Sequence, residues 1–168
     1  MRFFLLGFMG TGKTYWGRLW ADQHGMDFFD LDAEIEKEAG MTIRAMFEKF
    51  GETYFREKEK QLLESFGSKD NFILSTGGGT PCFYENMQWM NKNGTTIYLD
   101  TPPEILKERL SKEKHHRPLI QNLDDSELIP FIENNINKRN KFYTQAIVIL
   151  STESITEATF NEIKRTYT

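Results

Sequence analysis

The chain has 168 residues, of which 39% are hydrophobic and 27% are charged. That length and apolar content are typical of one domain with a single core. The formal net charge of −4 argues against binding of nucleic acid or an anionic membrane through bulk positive charge, so any bound anion has to be held by a local cluster of groups.

A single cysteine, Cys82, is present, so no internal disulfide can form and nothing calls for an oxidising compartment. The apolar start at residues 3–9 is interrupted by Gly7 and is far shorter than the roughly 20 apolar residues of a membrane-spanning helix. We therefore expect a cytoplasmic protein without a targeting segment.

Strand-like and helix-like segments alternate along the chain, which predicts an α/β domain. Residues 2–6 are predicted to form a buried strand, and residues 13–24 a helix that ends at Gly25. A second strand at residues 28–31 precedes a long helical excursion. Glycines divide this excursion into helices at residues 32–39, 43–50 and 52–66.

The second half of the chain continues the alternation. Further strands are predicted at residues 72–75, 95–99 and 146–150. Between the last two lie a helix at residues 104–111, a polar stretch at residues 112–125 and a helix that carries Arg139, and a final helix is predicted at residues 156–164. The polar stretch is the best candidate for a mobile lid. Five parallel strands with helices on both faces are the expected result.

The sequence of residues 7–14, GFMGTGKT, matches the phosphate-loop pattern G-x-x-x-x-G-K-[ST] between a predicted strand and a predicted helix. In such a loop, backbone N–H groups and the start of the helix bind phosphate oxygens. Lys13 is expected to reach the β- and γ-phosphates of ATP, and the Thr14 hydroxyl is expected to ligate Mg²⁺. We assign nucleotide binding to Gly10, Thr11, Gly12, Lys13, Thr14 and Tyr15. The loop alone does not identify the acceptor, because GTPases, motor ATPases and small-molecule kinases all use it.

Two acidic residues, Asp30 and Asp32, flank Leu31 at the end of the second predicted strand. In an extended chain residues i and i+2 point to the same side, so both carboxylates can face one site. One can hold the hydrated metal, and the other can accept a hydrogen bond or a proton from an attacking hydroxyl. The alternative is that Asp32 only caps the helix that begins at Ala33.

Three consecutive glycines, Gly77, Gly78 and Gly79, follow the third predicted strand. Because glycine costs backbone entropy, such a run indicates a sharp bend or a close approach to a ligand. Backbone N–H groups of the run would then be available to a substrate, whereas the alternative is an ordinary flexible turn.

Three arginines lie in segments that could meet at this site: Arg56 on the excursion, Arg117 on the predicted lid and Arg139 on the following helix. A guanidinium can bind a carboxylate through two hydrogen bonds or stabilise a phosphoryl group in transfer. Taken singly, each is more often a solvated surface arginine, and only their joint placement favours a site.

Together these features resemble the shikimate kinase family over nearly the whole chain. The resemblance rests on the phosphate loop, Asp30-Leu31-Asp32, Gly51-Glu52-x-x-Phe55-Arg56, the glycine run, Arg117-Pro118-Leu119, and Arg139 four residues before Tyr143. It implies a P-loop fold like that of the nucleoside-monophosphate kinases, with three layers and a parallel sheet of order 2-3-1-4-5. It also implies one kinase domain over residues 1–168, with a substrate-binding excursion at about residues 32–66 and a closing lid at about residues 112–125.

The family resemblance implies a reaction as well. A monomeric kinase would use ATP and Mg²⁺ to phosphorylate the 3-hydroxyl of shikimate, giving ADP and 3-phosphoshikimate on the route to chorismate and the aromatic amino acids. Related readings remain open: another phosphate-loop kinase, acting on gluconate or on a nucleotide, or a nucleotide-binding module without catalysis.

The resemblance also implies roles for residues of the acid site. Asp32 resembles the residue that holds the reacting hydroxyl and can act as base, and Asp30 resembles a metal-site residue. Arg56 and Arg139 resemble the pair that binds the shikimate carboxylate. Gly78, the middle glycine of the run, resembles the residue whose backbone contacts the substrate.

On the ATP side, Arg117 resembles the lid arginine that reaches the phosphates, which makes it a catalytic candidate together with Lys13 and Asp32. Arg109 lies at a position that family members use to stack on adenine. Residues 150–153, in contrast, lack the basic residue that some members place beside the base.

Overall fold

The computed structural model describes residues 1–114 and 119–167. Within these residues five parallel strands form one sheet in the order β2-β3-β1-β4-β5, which confirms the predicted topology. The strands are β1 (Arg2–Leu6), β2 (Asp27–Asp30), β3 (Phe72–Ser75), β4 (Thr95–Asp100) and β5 (Val148–Ser151).

Helices lie between the strands and cover both faces of the sheet. They are α1 (Lys13–His24), α2 (Leu31–Ala39), α3 (Ile43–Ser65), α4 (Asn86–Asn93), α5 (Pro103–Glu113), α6 (Asp125–Tyr143) and α7 (Thr159–Tyr167). Helix α3 is interrupted at Gly51, where φ is 82° and ψ is 172°, in agreement with the two segments predicted on either side of that glycine. No helix in the described part of the chain is long and apolar enough to cross a membrane.

The boundary between β2 and α2 differs from the prediction. The strand ends at Asp30 and the helix begins at Leu31, so Asp32 lies in the first turn of α2 and not in an extended segment. The cause is the Asp30 side chain, whose Oδ1 accepts hydrogen bonds from the backbone N–H groups of Asp32 and Ala33 at 3.1 and 3.3 Å. Asp30 is therefore the N-cap. The extended i, i+2 argument for the two carboxylates was wrong, and so was the alternative that made Asp32 the cap.

Further differences lie in the second half of the chain, among them helix α7, which begins at Thr159, three residues later than predicted. Helix α4 was not predicted, although Met87 and Met90 bury one side of it at helical spacing. Strand β5 begins two residues later than predicted because the Ala146 N–H still bonds the Tyr143 carbonyl, which extends the turn after α6.

The core lies on both faces of the central strand β1. Phe4 and Leu6 belong to one completely buried cluster, and Phe3 and Leu5 belong to a second cluster on the opposite face. This alternation follows from the two-residue period of a strand, and burial on both faces is typical of parallel sheets.

A third apolar cluster lies beside the phosphate loop. It joins Phe8 of the loop to residues of α5 and α6 and to Ile120 of the predicted lid, which is completely buried. The loop is thus supported by the same helices that flank the polar stretch.

The register of the sheet decides where the functional segments meet. Ser75 at the end of β3 pairs with Leu5 of β1 on one side and with Asp30 of β2 on the other. The phosphate loop, the start of α2 and the glycine run therefore leave three adjacent strands at the same edge. Ligands bind outside this carboxyl edge in open α/β sheets.

Candidate active site

The phosphate loop is curled by two residues that only glycine occupies without strain. Gly10 has φ of 82°, and Gly12, the N-cap of α1, has φ of 92°. Both lie in the left-handed region, which side chains disfavour. The backbone N–H groups at the start of α1 consequently face the concave side of the loop, where an anion would bind.

Side chains of the loop reinforce the curl. Thr11 is buried and donates from Oγ1 to the Phe8 carbonyl at 2.9 Å. The Lys13 ammonium donates to the carbonyls of Gly7 and Phe8 at 2.8 and 2.9 Å. These bonds place the charge inside the curve of the loop.

The two residues predicted for the metal site are in contact. Thr14 Oγ1 donates to Asp30 Oδ2 at 3.1 Å, while the other oxygen of that carboxylate caps α2. A hydroxyl and a carboxylate are the oxygen donors that Mg²⁺ prefers, and this ion usually takes its remaining ligands from water and substrate phosphates. The donor set therefore fits Mg²⁺.

An open cavity of about 620 Å³ lies over the loop, within the size range of small-ligand sites. Tyr15 lines it and is 65% exposed. Other predicted residues in its lining are Gly10, Gly12, Lys13, Thr14, Asp30, Asp32, Gly77, Gly78 and Arg109.

The far end of the cavity carries Arg109 and an aromatic residue that sequence reasoning missed. Arg109 donates from Nη1 to the Gly10 carbonyl at 3.0 Å. Trp16 lines the cavity as well, and its Cδ1 atom would lie 3.3 Å from a Cβ atom added to Gly12. An aromatic residue one turn into the helix after a phosphate loop was the available signal, but it was equally consistent with the core.

The three glycines after β3 lie against the predicted acid-site side chains. A Cβ atom added to each would meet a different group: Asp32 Oδ1 at 3.0 Å from Gly77, Arg139 Nη1 at 3.0 Å from Gly78, and Arg56 Nη2 at 2.7 Å from Gly79. None of the three glycines has a positive φ. Space for neighbouring side chains, and not backbone conformation, is the reason for glycine here. We call Arg56, Arg139 and residues 77–79 the arginine–glycine cluster.

Arg56 is held on several sides. Its Nη1 donates to Glu59 Oε2 at 2.8 Å, and only 13% of its side chain is exposed. The guanidinium also lies 3.9 Å from the Phe83 ring centroid and 4.9 Å from that of Phe55. Such contacts fix the orientation of a side chain that is otherwise flexible.

Glu59 is a site residue that the sequence analysis did not identify. Its side chain is 1% exposed, and Oε1 accepts a hydrogen bond from Thr80 Oγ1 at 2.6 Å. The available signal was its spacing, because Phe55, Glu59 and Leu63 occupy the buried face of α3 at intervals of four residues. A carboxylate in that row needs a cationic partner.

Arg139 joins the cluster to the phosphate loop. Its guanidinium carbon lies 5.6 Å from the ring centroid of Phe8 in the loop. A Cβ atom on Gly78 would lie 3.0 Å from Arg139 Nη1 and 3.5 Å from the Gly7 carbonyl. Arg117, the remaining predicted arginine, lies outside the described residues.

Asp32 lies between the two halves of the site. Burial, followed by the nearby charges of Asp30 and Glu59, raises the pKa of Asp32 from 3.8 to about 6, against the opposing effect of Lys13 and Arg56. A carboxylate with a pKa close to neutrality is suited to accept a proton from a hydroxyl.

Comparison with known proteins gives a consistent result. The model of the shikimate kinase family (SKI) matches residues 9–168. The curated shikimate kinase of Bacteroides thetaiotaomicron is 41% identical over 155 residues, which are 92% of this chain and 89% of that protein.

Solved structures show the same relationship. The crystal structure of shikimate kinase from Bacteroides thetaiotaomicron has a TM-score of 0.90 and 39% identity, and the match covers 99% of this chain and 96% of the other. Shikimate kinase from Acinetobacter baumannii in complex with shikimate has a TM-score of 0.82 and 32% identity, with coverage of 98% and 90%.

Proposed function

Because this chain belongs to the shikimate kinase family and is a kinase, we propose that it transfers the γ-phosphate of ATP to the 3-hydroxyl of shikimate. The products are ADP and 3-phosphoshikimate, on the route to chorismate and the aromatic amino acids. The observation that carries the proposal is the meeting of the phosphate loop and the arginine–glycine cluster at Gly78.

The cluster supplies the acid-binding half of the reaction. Arg56 and Arg139 offer planar guanidinium groups that suit a carboxylate, and the glycines between them offer backbone N–H groups. Glu59 holds Arg56 in place before the acid binds, which reduces the entropy lost on binding. Two arginines at the acceptor end favour a carboxylic acid over a neutral acceptor, and because gluconate is an acid as well, the preference for shikimate over gluconate rests on the family match.

Asp32 supplies the contact to the reacting hydroxyl. It lines the cavity together with Lys13 and lies beside Gly77. As the hydroxyl oxygen bonds to the γ-phosphorus and the bond to the β-phosphate oxygen breaks, the hydroxyl proton passes to the Asp32 carboxylate. The raised pKa makes this group a stronger acceptor than an ordinary aspartate.

The phosphate loop holds ATP. Backbone N–H groups of residues 10–15 would bind the phosphates, Lys13 would move from the loop carbonyls to the β- and γ-phosphates, and Arg109 would stack on the adenine. Arg117 would reach the phosphates from the lid. Thr14 and Asp30 would hold Mg²⁺, which supplies charge neutralisation on the phosphates when bound.

The domain organisation belongs to the same proposal. Residues 1–168 form one kinase domain, in which residues 32–66 bind the acid and residues 112–125 form the lid. In the described part of that lid, Ile120 is buried in the core, and Lys114 near its start donates to Asp125 Oδ1 at its end at 2.7 Å. We also propose a cytoplasmic monomer, from the lone cysteine and the family resemblance, and size-exclusion chromatography with light scattering tests the oligomeric state.

Turnover with a panel of acceptors tests the function. ADP release by the purified protein with Mg²⁺ and ATP is measured with shikimate, gluconate, nucleoside monophosphates and no acceptor. We expect rapid release with shikimate alone. ADP release with another acceptor but not with shikimate would support a kinase and contradict shikimate as its substrate. No ADP release with any acceptor would favour a nucleotide-binding module without catalysis.

A further inference from the structure

The phenol of Tyr143 lies against the arginine–glycine cluster, at the end of α6. Its hydroxyl donates to the Gly78 carbonyl at 2.5 Å, and its side chain is completely buried. Burial raises the pKa of Tyr143 to about 12, so the hydroxyl keeps its proton and remains a donor at neutral pH. The Gly78 carbonyl is partly buried, so without this donor it would lose a protein hydrogen-bond partner.

With this bond, each of the three carbonyls of the glycine run accepts a hydrogen bond. The Gly77 carbonyl accepts from the Thr80 N–H at 3.1 Å, and the Gly79 carbonyl accepts from the Cys82 N–H at 2.9 Å. The 3₁₀ turn that follows the run therefore fixes the first and third carbonyls, whereas the middle one is fixed by Tyr143. Because a peptide unit is planar, fixing the Gly78 carbonyl also fixes the direction of the Gly79 N–H.

Tyr143 and Arg139 meet the cluster at the same glycine. They lie four residues apart on α6 and therefore on the same face of the helix. A Cβ atom on Gly78 would lie 3.0 Å from Arg139 Nη1 and 3.7 Å from the Tyr143 hydroxyl oxygen. The phenol and the guanidinium thus both lie against Gly78.

The ring itself is held by the sheet. Tyr143 stacks on Tyr98 of β4, with ring centroids 4.9 Å apart and an interplanar angle of 28°. The Tyr98 hydroxyl points elsewhere, to Asp100 Oδ1 at 3.2 Å. The two stacked phenols therefore share one environment, but their hydroxyls bond different groups, and the Tyr143 hydroxyl bonds the cluster.

From this geometry we propose that Tyr143 is a positioning residue for the acid substrate. Its hydroxyl holds the Gly78 carbonyl so that the neighbouring N–H and the Arg139 guanidinium face the same carboxylate. This inference rests on the proposed function, and it adds to that function a residue that acts on the acid without contacting ATP or the reacting hydroxyl.

The test compares Tyr143→Phe with Tyr98→Phe, since each removes one hydroxyl and keeps the ring stack. Initial rates are measured with varied shikimate at saturating ATP and with varied ATP at saturating shikimate. We expect Tyr143→Phe to raise the KM for shikimate about tenfold, the usual scale for one buried hydrogen bond, with kcat and the KM for ATP changed less than about twofold. Tyr98→Phe should leave both KM values within about twofold of the parent.

Shikimate methyl ester provides a second readout, because it lacks the charged carboxylate. If Tyr143 acts through the carboxylate contacts, the preference of the enzyme for shikimate over the ester should fall about tenfold in Tyr143→Phe and stay unchanged in Tyr98→Phe. A change in stability alone would not alter this ratio.

The possible outcomes distinguish a failure of the role of Tyr143 from a failure of the proposed function. An active parent enzyme with an unchanged shikimate KM in folded Tyr143→Phe, or with equal losses for shikimate and its ester, would overturn the role of Tyr143 alone. Thermal denaturation of both variants establishes that they are folded. A parent enzyme that does not phosphorylate shikimate would overturn the proposed function, and the role of Tyr143 with it.

Discussion

The phosphate loop and the arginine–glycine cluster, which we propose bind ATP and the acid substrate respectively, are built in different ways. The loop is eight consecutive residues whose shape comes from the backbone, with Gly10 and Gly12 in left-handed conformations. The cluster is assembled from α3, the segment after β3, and α6, and side chains from outside it hold its parts together. A local motif is thus sufficient for one half, whereas the other depends on tertiary packing.

This contrast predicts which property is lost when a residue of the loop or of the cluster is substituted. A substitution of Lys13, which is only partly buried, should impair catalysis and leave the fold intact, whereas Phe8 of the loop belongs to the core. Substitutions around the cluster should affect acid binding, and those at its buried supports should also reduce stability.

The largest expected effect is in the loop. Lys13→Ala removes the charge that faces the β- and γ-phosphates, so kcat should fall at least about a thousandfold while the thermal midpoint stays unchanged. Lys60→Ala, which removes an exposed lysine paired with Glu64 on α3, is the matched control and should have normal activity. A near-normal rate for Lys13→Ala would contradict the role of the loop.

Arg139→Ala should separate acid binding from ATP binding in steady-state kinetics. Loss of one partner of a buried charge pair costs about 2 to 5 kcal/mol, so the KM for shikimate should rise steeply while the KM for ATP changes little. Arg139→Lys keeps the positive charge but lacks the planar guanidinium, so its KM for shikimate should lie between those of the parent and Arg139→Ala. An unchanged KM for shikimate in Arg139→Ala would contradict the role of Arg139 in binding the acid.

Glu59 and Glu52 provide a matched pair for the buried supports. Both carboxylates contact Arg56, but Glu59 is 1% exposed and Glu52 is 56% exposed. Glu59→Gln should lower the free energy of unfolding by about 3 kcal/mol and raise the shikimate KM, whereas Glu52→Gln should cost less than about 1 kcal/mol. Equal effects in urea denaturation would show that burial does not distinguish the two contacts.

The smallest expected effect is a pH-dependent one at Asp32, where the charges of the two halves meet. The folded state holds the proton of this group with a pKa of about 6, compared with the ordinary 3.8, so the stability contributed by Asp32 falls as the pH rises from 4 to 6. Asp32→Asn should therefore be more stable than the parent by as much as about 2 kcal/mol above pH 6, and the advantage should vanish below pH 4.

Urea denaturation of the nucleotide-free protein at pH 4 and pH 7.5 measures this difference. A stability difference that is the same at both pH values would show that the environment of Asp32 does not perturb its ionisation.

The same contrast explains how far the sequence could predict the structure. The phosphate loop, β1 and α1 follow from local patterns, and their bounds agree with the prediction. The order of the strands came from the family resemblance and is confirmed. Local information was ambiguous at Asp30, where the end of a strand and the cap of a helix fall on the same residue.

The supports of the cluster could not be predicted, for a physical reason. Whether Glu59 is solvated or buried depends on which face of α3 meets the sheet, and the Tyr143 hydroxyl bonds a carbonyl 65 residues away. Neither fact is encoded in a neighbouring stretch of sequence. Only the spacing of Phe55, Glu59 and Leu63 indicated that one carboxylate lies on an apolar face.

The most direct test of the central claim is the identity of the product. Parent enzyme is incubated with Mg²⁺, ATP and shikimate, and the mixture is examined by two-dimensional ¹H–³¹P correlation spectroscopy. We expect one new phosphate ester that couples to the proton on carbon 3 of the acid, formed in equal amount to ADP. A phosphate on another hydroxyl, or inorganic phosphate without an ester, would contradict it.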